Sequence, residues 1–368
     1  MKAYEVALLD WLACAARGAR EPAARAARQL GDRVAHAGTA GHVLDFDDTY
    51  LPGIAHLSAP TAPAALVLAA ELGLSAGEAL AAYAEGFEAM GALARASHPA
   101  LYDRGWHPTA VCGGVGAAVA GARLLGAPGE SAVALALLRA GGLRGAFGSD
   151  GKSLQVGLAA ASGVQAARLA RAGARAPLEA AARGWEQASG GRYAEADPGR
   201  RAVDENWIKA WPCCLQTHGA IEAADGVRAR APRELSVTVH PVSLQAAAQG
   251  PEPADGLAAK FSIPYLTAYT LLHGPPEVDS FASVDREAVE RARTIEVRTD
   301  RALLESEFVL HDGGEEIARV KAALGSPAKP MDEEALRAKV EGLAGPELAG
   351  ALEDPGRPAA DLLALADL

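Results

Sequence analysis

GHVLDFDDTYLPGIAHLSAP, residues 41–60, packs three carboxylates (Asp45, Asp47, Asp48), a hydroxyl (Thr49) and two imidazoles (His42, His56) into one turn-rich segment. Alanine-rich helical stretches with few titratable groups lie on either side. Three readings fit the residues: an acid/base site built around an anion, a phosphate-transfer motif of the form D-x-D-x-T, or a polar helix start. The choice decides the fold. A phosphate-transfer Asp sits at the end of a buried strand, and only Val43 and Leu44 separate Asp45 from Gly41-His42, too few for that strand.

At 368 residues the chain is long enough for a full core. Half of it is hydrophobic but only 5% is aromatic, and much of the apolar content is Ala beside 40 Gly. Small side chains let helices approach closely, which favours packed helices over a β-rich fold. A net charge of −11 argues against a nucleic-acid partner. An acidic protein that handles an anion must gather cations locally, so the seven lysines, against 28 arginines, are each informative. Cys14, Cys112, Cys213 and Cys214 offer no C-x2-C spacing, so neither zinc nor an iron–sulfur cluster is expected, and reduced thiols fit a cytoplasmic protein. The N-terminus makes a poor signal peptide. The longest apolar run, residues 110–122, is too short to span a bilayer, so no membrane partner is expected.

Along the chain, Tyr4, Leu8, Trp11, Leu12 and Ala15 share a helical face. Pro60 and Pro63 open a helix that Gly73 ends, and Ser75 with Glu78 forms a capping box for a helix to about Ala96. Helices follow at about 109–125, 130–145, 153–172 and 177–187. From about residue 210 the pattern changes. Period-two strands are expected at 235–240 and 295–299, with two more at 307–311 and 318–324 turned by Asp312-Gly313-Gly314. Helices at 255–273 and 285–293 lie between the first two strands. Helix returns after Met331, favoured by Asp332-Glu333-Glu334. The fold class is therefore mainly α: a large helical domain, 1–208 with 327–368, carrying an inserted smaller α+β unit, 209–326.

Four more places offer chemistry. His107, in Gly105-Trp-His-Pro-Thr109, precedes a Pro-started helix beside Trp106 and is either a structural hydrogen-bonder or a neutral ring able to take a proton. Gly148-Ser-Asp-Gly-Lys-Ser153 is not a P-loop, because Ala146 stands where Gly is required, but Lys152 at a helix start suits a carboxylate. Lys209 lies in Lys209-Ala-Trp-Pro-Cys-Cys214, with His218 nearby, and Tyr265 closes Lys260-Phe-Ser-Ile-Pro-Tyr265.

Together these pieces resemble the MmgE/PrpD family. The matching stretches are Leu44–Thr49, His56–Ser58, Gly105–Thr109, Asp150–Lys152, Lys209–Cys214 and Lys260–Tyr265, in the family's order. The resemblance implies a helical domain made from both ends of the chain, an α+β lid, a homodimer and no metal. It places site positions on Asp45, Thr49, His56, His107 and Tyr265 for catalysis, and on Lys152 and Lys209 for substrate. The chain is shorter than family members, with Tyr50 after Thr49 and Leu57 after His56 as departures.

The implied activity is 2-methylcitrate dehydratase-like, a metal-independent loss of water from a small di- or tricarboxylate. Such chemistry needs a base for the proton alpha to a carboxylate, an acid for the leaving hydroxide and cations for the carboxylates. His56 and His107 can supply acid and base, Asp45 can orient a histidine, and Thr49 and Tyr265 can bond the hydroxyl. The family's cis-aconitate decarboxylase and iminodisuccinate epimerase reactions pass through a similar carbanion and stay open. Outside the family, Asp45-Phe-Asp-Asp-Thr49 also fits a haloacid-dehalogenase-like phosphatase, and a non-catalytic helical interaction protein is the third alternative.

Overall fold

Helix Pro108–Leu125 runs through the middle of a bundle. His107 is its N-cap residue, Pro108 occupies the first turn, and Gly126 in the left-handed region (φ 60°) ends it. By length and composition it could cross a membrane, yet 78% of it is buried inside the protein. Helices Ser58–Glu71, Ala76–Ser97, Gly129–Leu137 and Gly151–Arg171 pack around it. Small residues set the spacing. A Cβ on Gly86 would come within 2.5 Å of Gly116 O, and one on Gly116 within 2.7 Å of Gly86 O, so these two helices cross backbone to backbone.

The computed structural model describes residues 2–368 and is mainly helical. It forms two compact units. One comprises Met1–Val43, Asp47–Ile208 and Asp332–Leu368; the other comprises Leu44–Phe46 and Lys209–Met331.

In the helical unit, Tyr4, Leu8, Trp11, Leu12 and Ala15 are all buried along helix Lys2–Gly18. The Ser75 capping box forms: Ser75 Oγ accepts from Glu78 N at 3.3 Å, and Glu78 Oε2 accepts from Ser75 N at 2.9 Å. C-terminal residues join the same unit. Ala76 N donates to Arg357 O (2.7 Å) and Ala359 N to Leu74 O (3.0 Å). Asp332 caps helix Glu333–Ala344 by accepting from Ala335 N at 2.7 Å. Lys339 Nζ in that helix lies 2.5 Å from Asp10 Oδ1 in helix Lys2–Gly18, with both side chains buried.

Helices Pro22–Arg28 and Arg33–His42 make up the alanine-rich helical stretch read ahead of residue 41. Two helices differ from the sequence pattern. Helix Gly129–Leu137 stops short of the expected 145 and gives way to turns at Gly141-Gly142, where Gly142 has φ 132°. The helix expected over 255–273 is two pieces, Gly256–Ala259 and Ile263–His273. Ser262 restarts the second by accepting from Tyr265 N at 3.2 Å.

The second unit holds a four-stranded sheet in the order Glu296–Thr299, Leu235–Val239, Phe308–Asp312, Glu315–Val320. The first pair is parallel and the rest antiparallel. Gly313 (φ 57°) and Gly314 (φ 87°) make the hairpin turn read from the sequence. The last strand begins at 315 instead of 318, and a register shift at Leu310/His311 accommodates it.

Candidate active site

His42 closes helix Arg33–His42, which starts at Asp32, whose carboxylate accepts from Val34 N and Ala35 N, each at 3.0 Å. This helix leads to the polar segment where a phosphatase would need a strand, so the D-x-D-x-T reading fails on the fold. Asp45 then turns the chain with φ 54°, a left-handed conformation unusual for a residue with a Cβ. Past it, Thr49–Tyr50 pairs antiparallel with Asn206–Trp207, and Tyr50 and Ala55 exchange backbone hydrogen bonds around the turn. The chain is thereby folded back so that His56 returns beside His42.

Asp47, fully buried, sits between the two rings. His42 Nδ1 lies 3.1 and 3.0 Å from Asp47 Oδ1 and Oδ2, and His56 Nδ1 lies 3.2 Å from Oδ2. The imidazoles of His42 and His56 meet edge to face with centroids 4.4 Å apart. Burial raises the Asp47 carboxyl, but the two histidines beside it hold it well below the usual carboxylate range. Asp47 is thus an anion shared by two imidazoles, each turning Nδ1 toward it. These three side chains place ligand atoms within 4.8 Å of one another and can also hold a small divalent cation.

Asp48, next along, has a structural setting. Its oxygens accept from Ser58 N (3.2 Å), Ser58 Oγ (2.9 Å) and Asn206 Nδ2 (2.8 Å), and Ser58 Oγ is 2.6 Å from Tyr83 OH. Burial, aided by Asp47, pushes its carboxyl up to about 8, against the pull of Ser58 and Asn206. Neighbouring carboxyls are driven apart by their surroundings, one toward the anion and one toward the acid.

His107 joins the group from the start of helix Pro108–Leu125. Its ring stacks on His42 at 6.1 Å and meets Phe147 edge to face at 4.9 Å. The apolar wall beside it is therefore Phe147; Trp106 turns away, donating its Nε1–H to Ser189 O at 3.0 Å. Thr109 Oγ1 accepts from His56 N at 3.1 Å and ties the two histidine segments together. Lys152, buried in the first turn of helix Gly151–Arg171, places Nζ 5.7 Å from the Phe147 centroid. Thr49 Oγ1 is buried with no hydrogen-bond partner among the described residues, a group suited to a ligand.

The other expected residues belong to the second unit. Lys209 Nζ bonds Asp45 Oδ1 (2.7 Å) and Asp45 O (2.9 Å), and Lys260 Nζ bonds Leu44 O at 2.6 Å. Two buried lysines thus hold the strained Leu44–Phe46 turn. Tyr265 OH accepts from Asp285 N at 3.0 Å, and burial raises its phenol. The cysteines are all buried; burial lifts the Cys213 thiol to about 12, which leaves it protonated and a poor nucleophile.

Sequence reading assigned no role to His42, Asp47, Phe147 or Gln155. His42 and Asp47 were visible as members of the polar cluster, and Gln155 lies three residues past Lys152 on the same helical face.

Residues 34–192 match the MmgE/PrpD N-terminal domain and residues 211–354 the MmgE/PrpD C-terminal domain. The chain belongs to the MmgE/PrpD family. It is 29% identical over 270 residues to human cis-aconitate decarboxylase, covering 66% of this chain and 56% of that protein. The mouse cis-aconitate decarboxylase is 28% identical over 340 residues, covering 82% of this chain and 69% of that protein. The chain therefore matches little more than half the length of the human relative.

Proposed function

We propose that this MmgE/PrpD protein is a lyase that acts on a small tricarboxylate through a carbanion-like state, with histidine–carboxylate chemistry and without a metal or organic cofactor. The observation that carries the reading is the buried Asp47 bridging His42 and His56, with His107 beside them. An anion backing an imidazole stabilises the imidazolium that forms when the ring takes a proton. Lys152, in the same unit as the histidines, is the cation we assign to a substrate carboxylate. Asp45, Thr49, Tyr265 and Lys209 complete the proposed set, each to be tested by substitution.

Both curated relatives are named cis-aconitate decarboxylase, which makes that decarboxylation the first reaction to assay. There the bond to the departing carboxylate breaks, its electron pair stays on the substrate carbon, CO2 leaves and a proton is added. Dehydration of 2-methylcitrate, the reading favoured by the sequence resemblance, is the second. It removes a proton alpha to a carboxylate and expels hydroxide with a proton as water. Purified protein incubated with each acid separately distinguishes them, by CO2 release or by appearance of the unsaturated product. Turnover of neither acid would remove the lyase reading, and epimerisation of iminodisuccinate instead would replace it with an isomerase reading. A cytoplasmic homodimer is part of the proposal, and its mass in solution tests the dimer.

A further inference from the structure

Gln155, on helix Gly151–Arg171, meets three polar groups. Leu143 N donates to its Oε1 at 2.9 Å, its Nε2 donates to Leu143 O at 3.1 Å, and Nε2 lies 2.6 Å from His107 Nδ1. Amide orientation is often ambiguous, but here the backbone decides it. The Leu143 N–H can only donate, so the atom facing it is the carbonyl oxygen, and the NH2 faces His107. An N–H aimed at Nδ1 requires a lone pair there. The proton of neutral His107 is then on Nε2.

We propose that Gln155 is a positioning residue that locks His107 in its Nε2–H tautomer. The role this gives the ring rests on the lyase reading. With its proton fixed on Nε2, His107 stabilises negative charge developing on a substrate carboxylate, as a preorganised donor does.

The test reads the tautomer directly. Histidine 15N spectra of the wild-type protein, with the His107 signals assigned through His107→Gln, should show His107 protonated at Nε2. Protonation at Nδ1 would overturn the lock, and this arm needs neither a substrate nor a Gln155 variant. Gln155→Glu presents only acceptors to the ring and should move the proton to Nδ1, read at a pH where the 15N spectrum shows the variant's ring neutral, because a carboxylate also favours the imidazolium, which would keep Nε2–H. With the tautomer moved, kcat should fall by about 10²–10³-fold, the loss typical of one removed donor, with KM changed far less. A moved tautomer with unchanged kcat would refute the donor role. Failure of the wild-type protein to turn over any carboxylate refutes the lyase reading, and the donor role with it, while the spectrum alone judges the Gln155–His107 lock.

Discussion

Single side chains divide the work of the polar cluster. Asp47 and Asp48 are sequence neighbours, yet the histidines hold one as an anion while burial pushes the other up to about 8. The sign of the second effect is testable. Between its ordinary value of 3.8 and about 8, folded Asp48 keeps a proton that the unfolded chain has released. The folded state then binds more protons, so stability falls as pH rises through that window. Asp48→Asn should flatten the slope, read as urea midpoints at about pH 5 and about pH 8; equal slopes in the two proteins would place the ionised carboxylate in the folded state. The histidines separate by substitution as well. His56→Gln cannot cycle a proton and should lose at least ~10²-fold in kcat. His107→Gln retains an N–H and should lose less than His107→Phe, which has no donor. A ranking that puts His107→Gln below His56→Gln would return the base role to His107.

Among elements, one buried ion pair lies between the first helix and helix Glu333–Ala344. Lys339 and Asp10 are 2.5 Å apart with 4% and 0% of their side chains exposed, so neither charge has much water to fall back on. Removing one partner leaves the other's buried charge less compensated. Lys339→Met should cost about 3–5 kcal/mol, and adding Asp10→Leu should recover part of it, because two apolar groups carry no buried charge. Chemical denaturation of the three proteins measures both; a cost under about 1 kcal/mol for Lys339→Met would mean water still reaches the pair. Local signals predicted these helices well where capping was explicit, as at Ser75 and Asp332. Helix Arg33–His42 was legible only as part of an alanine-rich stretch without bounds, although Asp32 marks its start.

For the molecule as a whole, the proposal makes a statement about metal. If His42, Asp47 and His56 act as a proton-handling group, activity should survive prolonged EDTA treatment, and added zinc should inhibit by occupying the same nitrogens. Activity lost to EDTA and restored by one metal at stoichiometric occupancy, seen by elemental analysis, would replace the acid/base account. The same assay, run before and after substitution of Lys209 or Tyr265, shows whether the second unit contributes to turnover.

Taken alone, the sequence determined the mainly helical class, the change to strands after residue 210, the hairpin glycines and the family. All of these are written in short-range terms: spacing of small and apolar residues, caps, Pro and Gly, and motifs of a few residues. It also picked out His56, His107 and Lys152, because titratable groups are conspicuous in an alanine background. The tertiary structure decided what each group can do. Asp47 became an anion shared by two imidazoles because the 49–55 turn folds His56 back onto His42. His107 met Phe147 instead of Trp106, and its Nδ1 met Gln155 from 48 residues away. No local pattern encodes such a meeting. A histidine's tautomer is set by the partner its ring faces, and helix packing, not sequence spacing, chooses that partner.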